Sequence, residues 1–341
     1  MDRRSSWMPA CSLDVLRIRA AVLEHLRGFF NSRGYLEVET PCLSPEVILD
    51  AWIDPFHVPD GPHRPPLYLQ TSPEAFMKRL LAAGSGSIYQ VAKVFRQAEI
   101  GERHNPEFTM IEWYGVGDTW EDQLNFTEQL VRHCLAATAH LPGSQTPAWP
   151  TTPFQRLTYA DAFQHAFNLD VHQASNHELL AAAKQAHVTL PETGPPLDRD
   201  DLLNLMLGFV IEPTLGGTVG AESPVFLCDY PPSQAALAVV SNTTPPVARR
   251  FELYVRGLEL CNGYQELTDP TELRRRETHQ HSRRQSASQT QLPGAPTLAA
   301  AIASGLPPCS GVALGFDRLI MLATNANSIQ TVLPFPLTTP D

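Results

Sequence analysis

The segment Tyr89–Tyr114, with the sequence YQVAKVFRQAEIGERHNPEFTMIEWY, predicts two β-strands on either side of a charged loop. The first strand is expected to end at Arg96 and the second to start at Glu107. Side chains alternate between the two faces of a strand, so every second residue of the second strand projects from one surface. These residues are Phe108, Met110, Glu112 and Tyr114.

This surface combines side chains that suit a phosphate, a purine base and an ammonium group. The planar guanidinium of Arg96, delivered by the neighbouring strand, can bind two phosphate oxygens at once. The flat ring of Phe108 suits a purine base, and the inward carboxylate of Glu112 suits an ammonium group. Hairpins with alternating apolar and charged residues are common, so this one carries little weight alone.

The same segment resembles motif 2 of the class II aminoacyl-tRNA synthetases, and within that class the lysine enzymes. Ser310–Leu322, SGVALGFDRLIML, resembles motif 3, a glycine-rich strand that runs into a helix and carries Arg318 at the junction. Leu36–Ser44, LEVETPCLS, resembles motif 1, a strand that ends in Pro41 and builds the dimer interface in the family. The resemblance implies an α+β fold, an antiparallel β-sheet flanked by helices, with a helical insertion.

Size and composition suit one domain over residues 1–341, because 43% of the residues are hydrophobic. No run of about 18 apolar residues is present, and the N-terminal segment lacks the apolar core of a signal peptide. Six cysteines are scattered without CxxC pairs, which favours neither zinc nor a disulfide framework. We therefore expect a cytoplasmic protein with no membrane partner.

Charge and length argue against anticodon recognition of tRNA. The formal net charge is −11, whereas a protein that grips tRNA usually presents a basic face. Lysyl-tRNA synthetases place an anticodon-binding OB-fold barrel ahead of the catalytic domain. Here a helical pattern already starts at Leu13, and roughly ten residues cannot hold a five-stranded barrel. The anticodon-binding domain is expected to be absent.

Helical patterns occupy much of the remaining chain. A helix is predicted over Leu13–Asn31, and another over Pro73–Ala83, after a strand at Leu67–Thr71 and with Ser72 as N-cap. Further helices are predicted in or beside an insertion at about 117–215, namely Trp120–Ala139, Tyr159–Phe167, Asn176–Gln185 and Arg199–Ile211. The polar, arginine-rich segment 271–296 is expected to be a solvated helix that fades into a mobile loop, with a partner-docking patch as the alternative.

Residues 251–266, FELYVRGLELCNGYQE, predict a β-hairpin that turns at Arg256-Gly257. A two-residue turn pairs Tyr254 with Glu259, which places Glu252 one diagonal step from Glu259 on the same face. Diagonal carboxylates with backbones about 7 Å apart can share a hard cation. Two solvent-facing edge carboxylates fit the pattern equally well.

Three polar residues further along this hairpin have the opposite parity, namely Asn262, Tyr264 and Glu266. They reach the same pocket only if the strand contains a bulge, which adds one residue and reverses the parity beyond it. We expect this bulge near Cys261–Gly263, because Gly263 would permit it.

The resemblance to lysyl-tRNA synthetases implies a site for ATP and magnesium. Glu252 and Glu259 match the two glutamates that bind the magnesium accompanying ATP. Arg96 and Arg318 match the catalytic arginines, of which the first holds the α-phosphate and the second lies against adenine near the γ-phosphate. The other positions implied at the nucleotide are Gln97, Ala98, Asn105, Phe108, Leu260 and Gly315.

The resemblance also implies an amino-acid pocket whose carboxylates and phenol suit a substrate with two amino groups. Its residues would be Ser72, Pro73, Glu74, Glu112, Tyr114, Asn262, Tyr264, Glu266 and Ala313. For Glu74 alone, a favourable interaction with the helix dipole is the stronger interpretation. Lysyl-tRNA synthetases carry glycine at the position of Ala313.

One position departs from the synthetase pattern. Motif 2 usually has a glutamate two residues after its arginine, where it contacts the adenine amino group, and this chain has Ala98 there. A glutamate follows one residue later, at Glu99. Either Glu99 takes over the contact or the backbone of Gln97–Ala98 does.

Over almost its full length the chain is similar to the elongation factor P–lysine ligase family, which lacks the anticodon-binding domain. The likeness is carried by VETPCLS, LYLQTSPEAFMKRLL, HNPEFTMIEWY, ELCNGYQELTD, PPCSGVALGFDR and, outside the class motifs, PPSQAALA at 231–238. It implies a homodimer that activates (R)-β-lysine with ATP as an aminoacyl-adenylate and transfers it to a lysine side chain of elongation factor P. A truncated enzyme that charges tRNA with lysine and a non-catalytic, regulatory paralogue are the alternatives.

Overall fold

The computed structural model describes residues 7–147, 149–191 and 196–337, so the domain predicted over 1–341 extends beyond them at both ends. Its helices are α1 (Leu13–Asn31), α2 (Glu74–Ala82), α3 (Trp120–Thr138), α4 (Tyr159–Phe167), α5 (Asn176–Gln185), α6 (Arg199–Met206), α7 (Pro270–Ser286), α8 (Pro296–Gly305) and α9 (Phe316–Thr324). Its strands are β1 (Leu36–Glu37), β2 (Leu43–Ser44), β3 (His57–Val58), β4 (Leu67–Leu69), β5 (Ile88–Phe95), β6 (Glu107–Val116), β7 (Gln155–Thr158), β8 (Gly217–Thr218), β9 (Ala221–Glu222), β10 (Val225–Tyr230), β11 (Ala248–Val255), β12 (Leu258–Gln265) and β13 (Cys309–Gly315).

One large sheet organises the fold, with the strand order β1-β5-β6-β13-β12-β11-β10-β7. The six central strands pair antiparallel, and only the outer strands β1 and β7 pair parallel with their neighbours. The two strands predicted around the charged loop are β5 and β6, and β13 runs directly into α9. The expected α+β fold, with an antiparallel sheet flanked by helices, is confirmed.

Helices α1, α3 and α9 pack against the sheet and form the main hydrophobic core with it. In this core, Phe30 of α1 stacks on Tyr89 of β5 with ring centroids 4.3 Å apart. The N-caps Ser12 and Thr119 hold the starts of α1 and α3 by accepting backbone hydrogen bonds. The core thus leaves the opposite face of the sheet free to line a cavity.

The part of the predicted insertion from Tyr159 onward has a hydrophobic cluster of its own. Helices α4 to α6 pack there on β7 and β10, and α6 continues into a π-helical turn at Leu207–Ile211. Helix α3 also falls within the predicted range 117–215, but its buried residues belong to the main core.

The motif 1 segment is less regular than expected. Only Leu36–Glu37 joins the large sheet, parallel to β5, and Leu43–Ser44 pairs instead with β4 in a small separate sheet. Pro41 lies between them, and proline cannot donate a ladder hydrogen bond. The strand predicted to end in Pro41 ends instead at Glu37, and Leu36 and Leu43 remain exposed.

The start of α2 also differs slightly from the prediction. The helix begins at Glu74 with Pro73 as its N-cap residue, one position later than expected. The hydroxyl of Ser72 still accepts a hydrogen bond from the Glu74 backbone N–H at 3.3 Å. The strand predicted over Leu67–Thr71 ends at Leu69.

The arginine-rich segment 271–296 is largely helical, and the expectation of a solvated helix fails for several of its arginines. Arg284 is fully buried and donates to Asp54 Oδ1 at 2.6 Å and to the backbone oxygens of Asp50 and Thr290. Arg276 donates to the backbone oxygens of Ala236 and Ala238. These long-range partners tie α7 to the rest of the fold, which a reading of local polarity could not anticipate. Within the described ranges, no helix has both the length and the apolar character needed to cross a bilayer.

Candidate active site

The β11–β12 hairpin turns at Arg256-Gly257, where both residues have positive φ, and pairs Tyr254 with Glu259 as predicted. Its next partner pair is Leu253 with Cys261, so that Leu260 is one extra residue on β12. The predicted bulge exists, and it lies at Leu260, directly before the expected segment Cys261–Gly263.

The glycine at 263 has another role. A Cβ there would lie 2.6 Å from the ring of Phe251 and 2.8 Å from Val312, so Gly263 permits close packing on the core face. Beyond the bulge, Glu252 pairs directly with Asn262. Residues of both parities on β12 consequently share one face of the sheet, as the amino-acid pocket requires.

A cavity of about 630 Å³ covers this face. The strand register carries a row of side chains across its floor, because Asn262 pairs with Ala313 and Ala313 pairs with Glu112. The predicted site residues that line the cavity are Ser72, Glu74, Arg96, Asn105, Phe108, Glu112, Tyr114, Glu252, Glu259, Leu260, Asn262, Tyr264, Glu266, Ala313, Gly315 and Arg318. Pro73, Gln97 and Ala98 do not line it.

Arg96 follows directly after β5 and has an unsatisfied donor. Its Nε is buried and has no hydrogen-bond partner among the described residues. The guanidinium lies 5.1 Å from the ring centroid of Phe108, and its Nη1 lies 3.8 Å from Glu99 Oε1. A buried arginine donor without a partner fits a phosphate oxygen, because a charged donor left unpaired is costly.

In the motif 2 loop, Glu99 is part of the cavity lining, whereas the two residues before it are not. Gln97 and Ala98 are exposed, and Ala98 has a left-handed φ of 63°. This conformation turns the chain, so that Glu99 lines the cavity. Of the two candidates for the adenine contact, the geometry favours the Glu99 side chain.

Arg318 stands in the first turn of α9 and is held from two sides. Its Nη1 donates to the backbone oxygen of Glu259 at 2.8 Å and lies 3.2 Å from Glu259 Oε2. Its Nη2 lies 3.0 Å from Nε2 of His104, a residue that sequence reasoning missed. Burial and the charge of Arg318 lower the pKa of His104, which keeps the ring neutral and able to accept this hydrogen bond.

Asn105 and Gly315 contribute less directly. Asn105 is buried and uses its side chain to hold Glu107 and Leu337 backbone groups, so that only its backbone is left for a ligand. A Cβ on Gly315 would meet the Arg318 side chain at an ordinary 3.4 Å. No contact within the described protein requires this glycine, and a close approach of ATP remains its predicted role.

The other end of the cavity is a cluster of buried carboxylates and phenols. The hydroxyl of Tyr114 donates to Glu112 Oε1 at 2.5 Å, whereas Glu112 Oε2 is buried and has no hydrogen-bond partner among the described residues. Burial, followed by the nearby Glu74, raises the pKa of Glu112 to about 8. Burial likewise raises the pKa of Glu266 to about 8. Such a cluster suits an ammonium group, which would stabilise the ionised carboxylates.

A glycine keeps this end open. Gly311 pairs with both Tyr114 and Tyr264, and a Cβ on it would collide with the Tyr114 ring and with Glu266. The Tyr264 hydroxyl donates to Glu74 Oε1 at 3.0 Å, which fixes Glu74 in the cluster. The helix-dipole role that the sequence favoured for Glu74 is therefore incomplete.

The most notable residue that sequence reasoning missed is Lys78. It is 1% exposed, and its Nζ lies 2.5 Å from Glu74 Oε1 and 2.5 Å from Glu266 Oε2. A signal was present, since Lys78 follows Glu74 by four residues and shares its helix face.

The proposed magnesium ligands have different surroundings. Glu252 is buried, its Oε1 accepts from Arg250, and its Oε2 accepts from Tyr230 and Tyr254, all at 2.6 Å. Glu259 is more exposed, and its Oε2 lies 3.2 Å from Nη1 of Arg318. Arg250 was not predicted, although it precedes Glu252 by two residues and shares its strand face.

The pair fits one shared hard cation better than an all-protein metal cage. Among the residues that the structure describes, no group of three or more His, Cys, Asp or Glu side chains could hold a metal. Magnesium usually takes only one or two carboxylates together with substrate phosphates. Burial and the charges of Glu252 and Glu259 raise the pKa of Glu212 to about 7, which indicates a negative electrostatic potential around the two glutamates.

Comparison with known proteins agrees with this architecture. The profile of the family "tRNA synthetases class II (D, K and N)" matches residues 7–339. The chain therefore has the class II synthetase catalytic domain, which the ordered motifs and the antiparallel sheet define.

Among its relatives are two proteins described as "Elongation factor P--(R)-beta-lysine ligase". The one from Pasteurella multocida (strain Pm70) is 40% identical over 339 residues, which cover 98% of each chain. The one from Salmonella paratyphi B is 40% identical over 340 residues and also covers 98% of each chain. The chain belongs to the family of elongation factor P–(R)-β-lysine ligases, as its sequence motifs predicted.

Proposed function

We propose that this chain activates (R)-β-lysine with ATP and transfers it, in the cytoplasm, to a lysine side chain of elongation factor P. One observation carries the proposal. Among the described residues, a single cavity joins the unpartnered Nε of Arg96 at one end to the unpartnered carboxylate oxygen of Glu112 at the other. This arrangement suits a molecule with a phosphate at one end and an ammonium group at the other. The names and full-length identity of the relatives support the choice of substrate and acceptor.

The first step joins the amino acid to AMP. A carboxylate oxygen of the amino acid attacks the α-phosphorus of ATP, an acyl–phosphate bond forms, and pyrophosphate leaves. No protein nucleophile is required, so the site acts by positioning and charge stabilisation. Arg96 and Arg318 hold phosphate oxygens, Phe108 supports the base, and the carboxylate cluster holds the amines.

In the second step, the acceptor amine attacks the activated carbonyl, an amide bond forms and AMP leaves. Magnesium, when bound by Glu252 and Glu259, supplies charge neutralisation at the phosphates. The chain's own residues must keep the adenylate in place until the acceptor arrives. The closed carboxylate end and the open phosphate end of the cavity suit this order.

The test of the acceptor uses purified protein, ATP and radiolabelled lysine or (R)-β-lysine. We expect ATP–pyrophosphate exchange with (R)-β-lysine, and stable label on elongation factor P but not on tRNA. The matched control is elongation factor P whose acceptor lysine is replaced by arginine. Robust charging of tRNA with untouched elongation factor P would show a truncated synthetase. Absence of any exchange would favour the non-catalytic alternative.

Replacing Glu259 with glutamine is expected to raise the magnesium concentration needed for half-maximal exchange severalfold, because the amide carries no charge to hold the cation. Glu259 is the cleaner test, since Glu252 also holds Arg250 and two tyrosines. The control is Glu24→Gln on the exposed face of α1. An unchanged magnesium requirement in the Glu259 variant would remove this residue from the metal site.

We also propose a homodimer built around the motif 1 segment. Leu36 and Leu43 are 55% and 39% exposed there, and apolar side chains of this kind suit a self-complementary interface. Sedimentation is expected to show a dimer at micromolar concentration that Leu36→Glu with Leu43→Glu weakens. Val219→Glu, in the hairpin between β8 and β9, is the control. A fully active monomer would contradict the proposal.

A further inference from the structure

Lys78 lies behind the carboxylate end of the cavity, where the amines of the substrate are expected, and it is not one of the residues that line the cavity. It is buried in α2, and its ammonium contacts Glu74 and Glu266, two of the three glutamates in the carboxylate cluster at this end of the cavity. A buried cation without a solvent path is stable only when anions hold it. Burial works against the charge of Lys78, but Glu266 and Glu74 outweigh it and raise its pKa above the ordinary value.

The formal charges at this end can be counted. Glu74, Glu112 and Glu266 contribute three negative charges, and Lys78 contributes one positive charge, which leaves two negative charges. A diamino acid whose carboxylate faces the nucleotide offers two ammonium groups to the same space. The fixed charge of Lys78 therefore lowers the net negative charge of the cluster to two, which matches the two ammonium groups of a diamino substrate.

We infer that Lys78 is a positioning residue that sets the charge and the protonation of the amino-acid pocket, and thereby its affinity for a diamino acid. This inference rests on the proposed function. Without Lys78, three carboxylates would face one another across a buried space, and like charges this close favour protonation. A protonated carboxyl group binds an ammonium group less well than a carboxylate does.

Among the described residues, titratable groups from four elements surround the two carboxylates Glu112 and Glu266. They are Glu74 and Lys78 from α2, Tyr114 from β6, Tyr264 from β12 and Cys309 from β13. Lys78 is the one cation among them. In the free protein near pH 7, Glu112 is largely protonated, because burial and Glu74 raise its pKa to about 8 and its Oε2 has no hydrogen-bond partner among the described residues. Burial also raises the pKa of Glu266, but the Lys78 ammonium 2.5 Å away opposes this rise. An arriving ammonium group would displace the proton of Glu112, so binding of a diamino acid should release protons.

Calorimetric titration of the parent protein with (R)-β-lysine, near pH 7 and in two buffers of different ionisation enthalpy, measures this release directly. We expect net proton release. For Lys78→Met we expect affinity to fall about tenfold or more at pH 7. The acid limb of the pH profile of kcat/KM for (R)-β-lysine in pyrophosphate exchange should move up by about one pH unit. A shift of one pKa unit corresponds to a tenfold change in the protonation equilibrium. The KM for ATP should stay within twofold, and Lys78→Arg should restore most of the affinity.

Lys184→Met, on the exposed side of α5, is the matched control. If Lys78→Met does not fold, Lys78→Gln replaces it, because the amide can still bond both carboxylates but carries no charge. A Lys78 variant with a lower melting temperature but an unmoved acid limb would overturn the inference and show a purely structural lysine. So would the absence of proton release from the parent. A parent that binds no diamino acid would overturn the proposed function as well.

Discussion

Replacing Arg96 with alanine is expected to lower ATP–pyrophosphate exchange by at least about a hundredfold while the protein stays folded. Loss of one preorganised donor to charge that develops in the transition state typically costs about 10²–10³ in rate. Arg96 satisfies the structural condition for this effect, because its Nε is buried and lacks a partner among the described residues. The donor is therefore already desolvated and oriented before the substrate binds.

Single-turnover adenylate formation would measure the effect on the chemical step, and thermal unfolding would report the fold. Lys93→Ala is the control, because Lys93 lies on β5 three residues before Arg96 and its ion pair with Glu107 is at the surface. Little loss of stability is expected for Arg96→Ala, since the ion pair of Arg96 with Glu99 is 3.8 Å long. Near-normal exchange by the alanine variant would remove Arg96 from the phosphate site.

Replacing Ala313 with glycine is expected to shift the preference from (R)-β-lysine toward α-lysine by roughly 10- to 200-fold. One methyl group in a tight pocket is worth about 1–3 kcal/mol. The structure places Ala313 on the cavity floor, between Asn262 and Glu112 in the strand register. We expect this methyl to crowd an amino group on the α-carbon and to leave more room for an amino group on the β-carbon.

The measurement is the ratio of kcat/KM for the two amino acids in pyrophosphate exchange. Ala248→Gly is a matched control, because Ala248 is a buried strand residue of β11 that does not line the cavity. If the ratio for the Ala313 variant stays within twofold of the parent, the methyl group only packs the strand. Selectivity between the two lysines would then lie elsewhere in the pocket.

The sequence was most informative where local periodicity controls structure. Alternation along β6 correctly placed Phe108, Glu112 and Tyr114 on the cavity face, and the two-residue turn correctly set the pairing of Tyr254 with Glu259. The bulge was predicted from a need of the pocket, and it lies at Leu260, directly before the expected segment Cys261–Gly263. Glycine was taken as the sign of a bulge, whereas Gly263 is required by close packing on the core face.

What the sequence could not provide are partners that meet only in the folded chain. Arg284 looks like a solvated helix residue until Asp54, 230 positions away, is brought against it. Lys78 looks like a surface lysine of an amphipathic helix until Glu266, the residue after β12, contacts it. Burial of a cation depends on such distant anions, so hydrophobic periodicity and local polarity carry no information about it.

The extra residue at Leu260 divides β12 into two parts, and residues of opposite parity face the cavity in these two parts. Before it, odd-numbered positions face the cavity, and after it, even-numbered positions do. Loss of that one residue would turn the amine-binding side chains into the core while leaving Glu259 in place. The residues around Leu260 should thus tolerate substitutions far better than an insertion or a deletion. A change in length would remove the amine-binding side chains from the cavity but would leave the nucleotide-binding Glu259 in it.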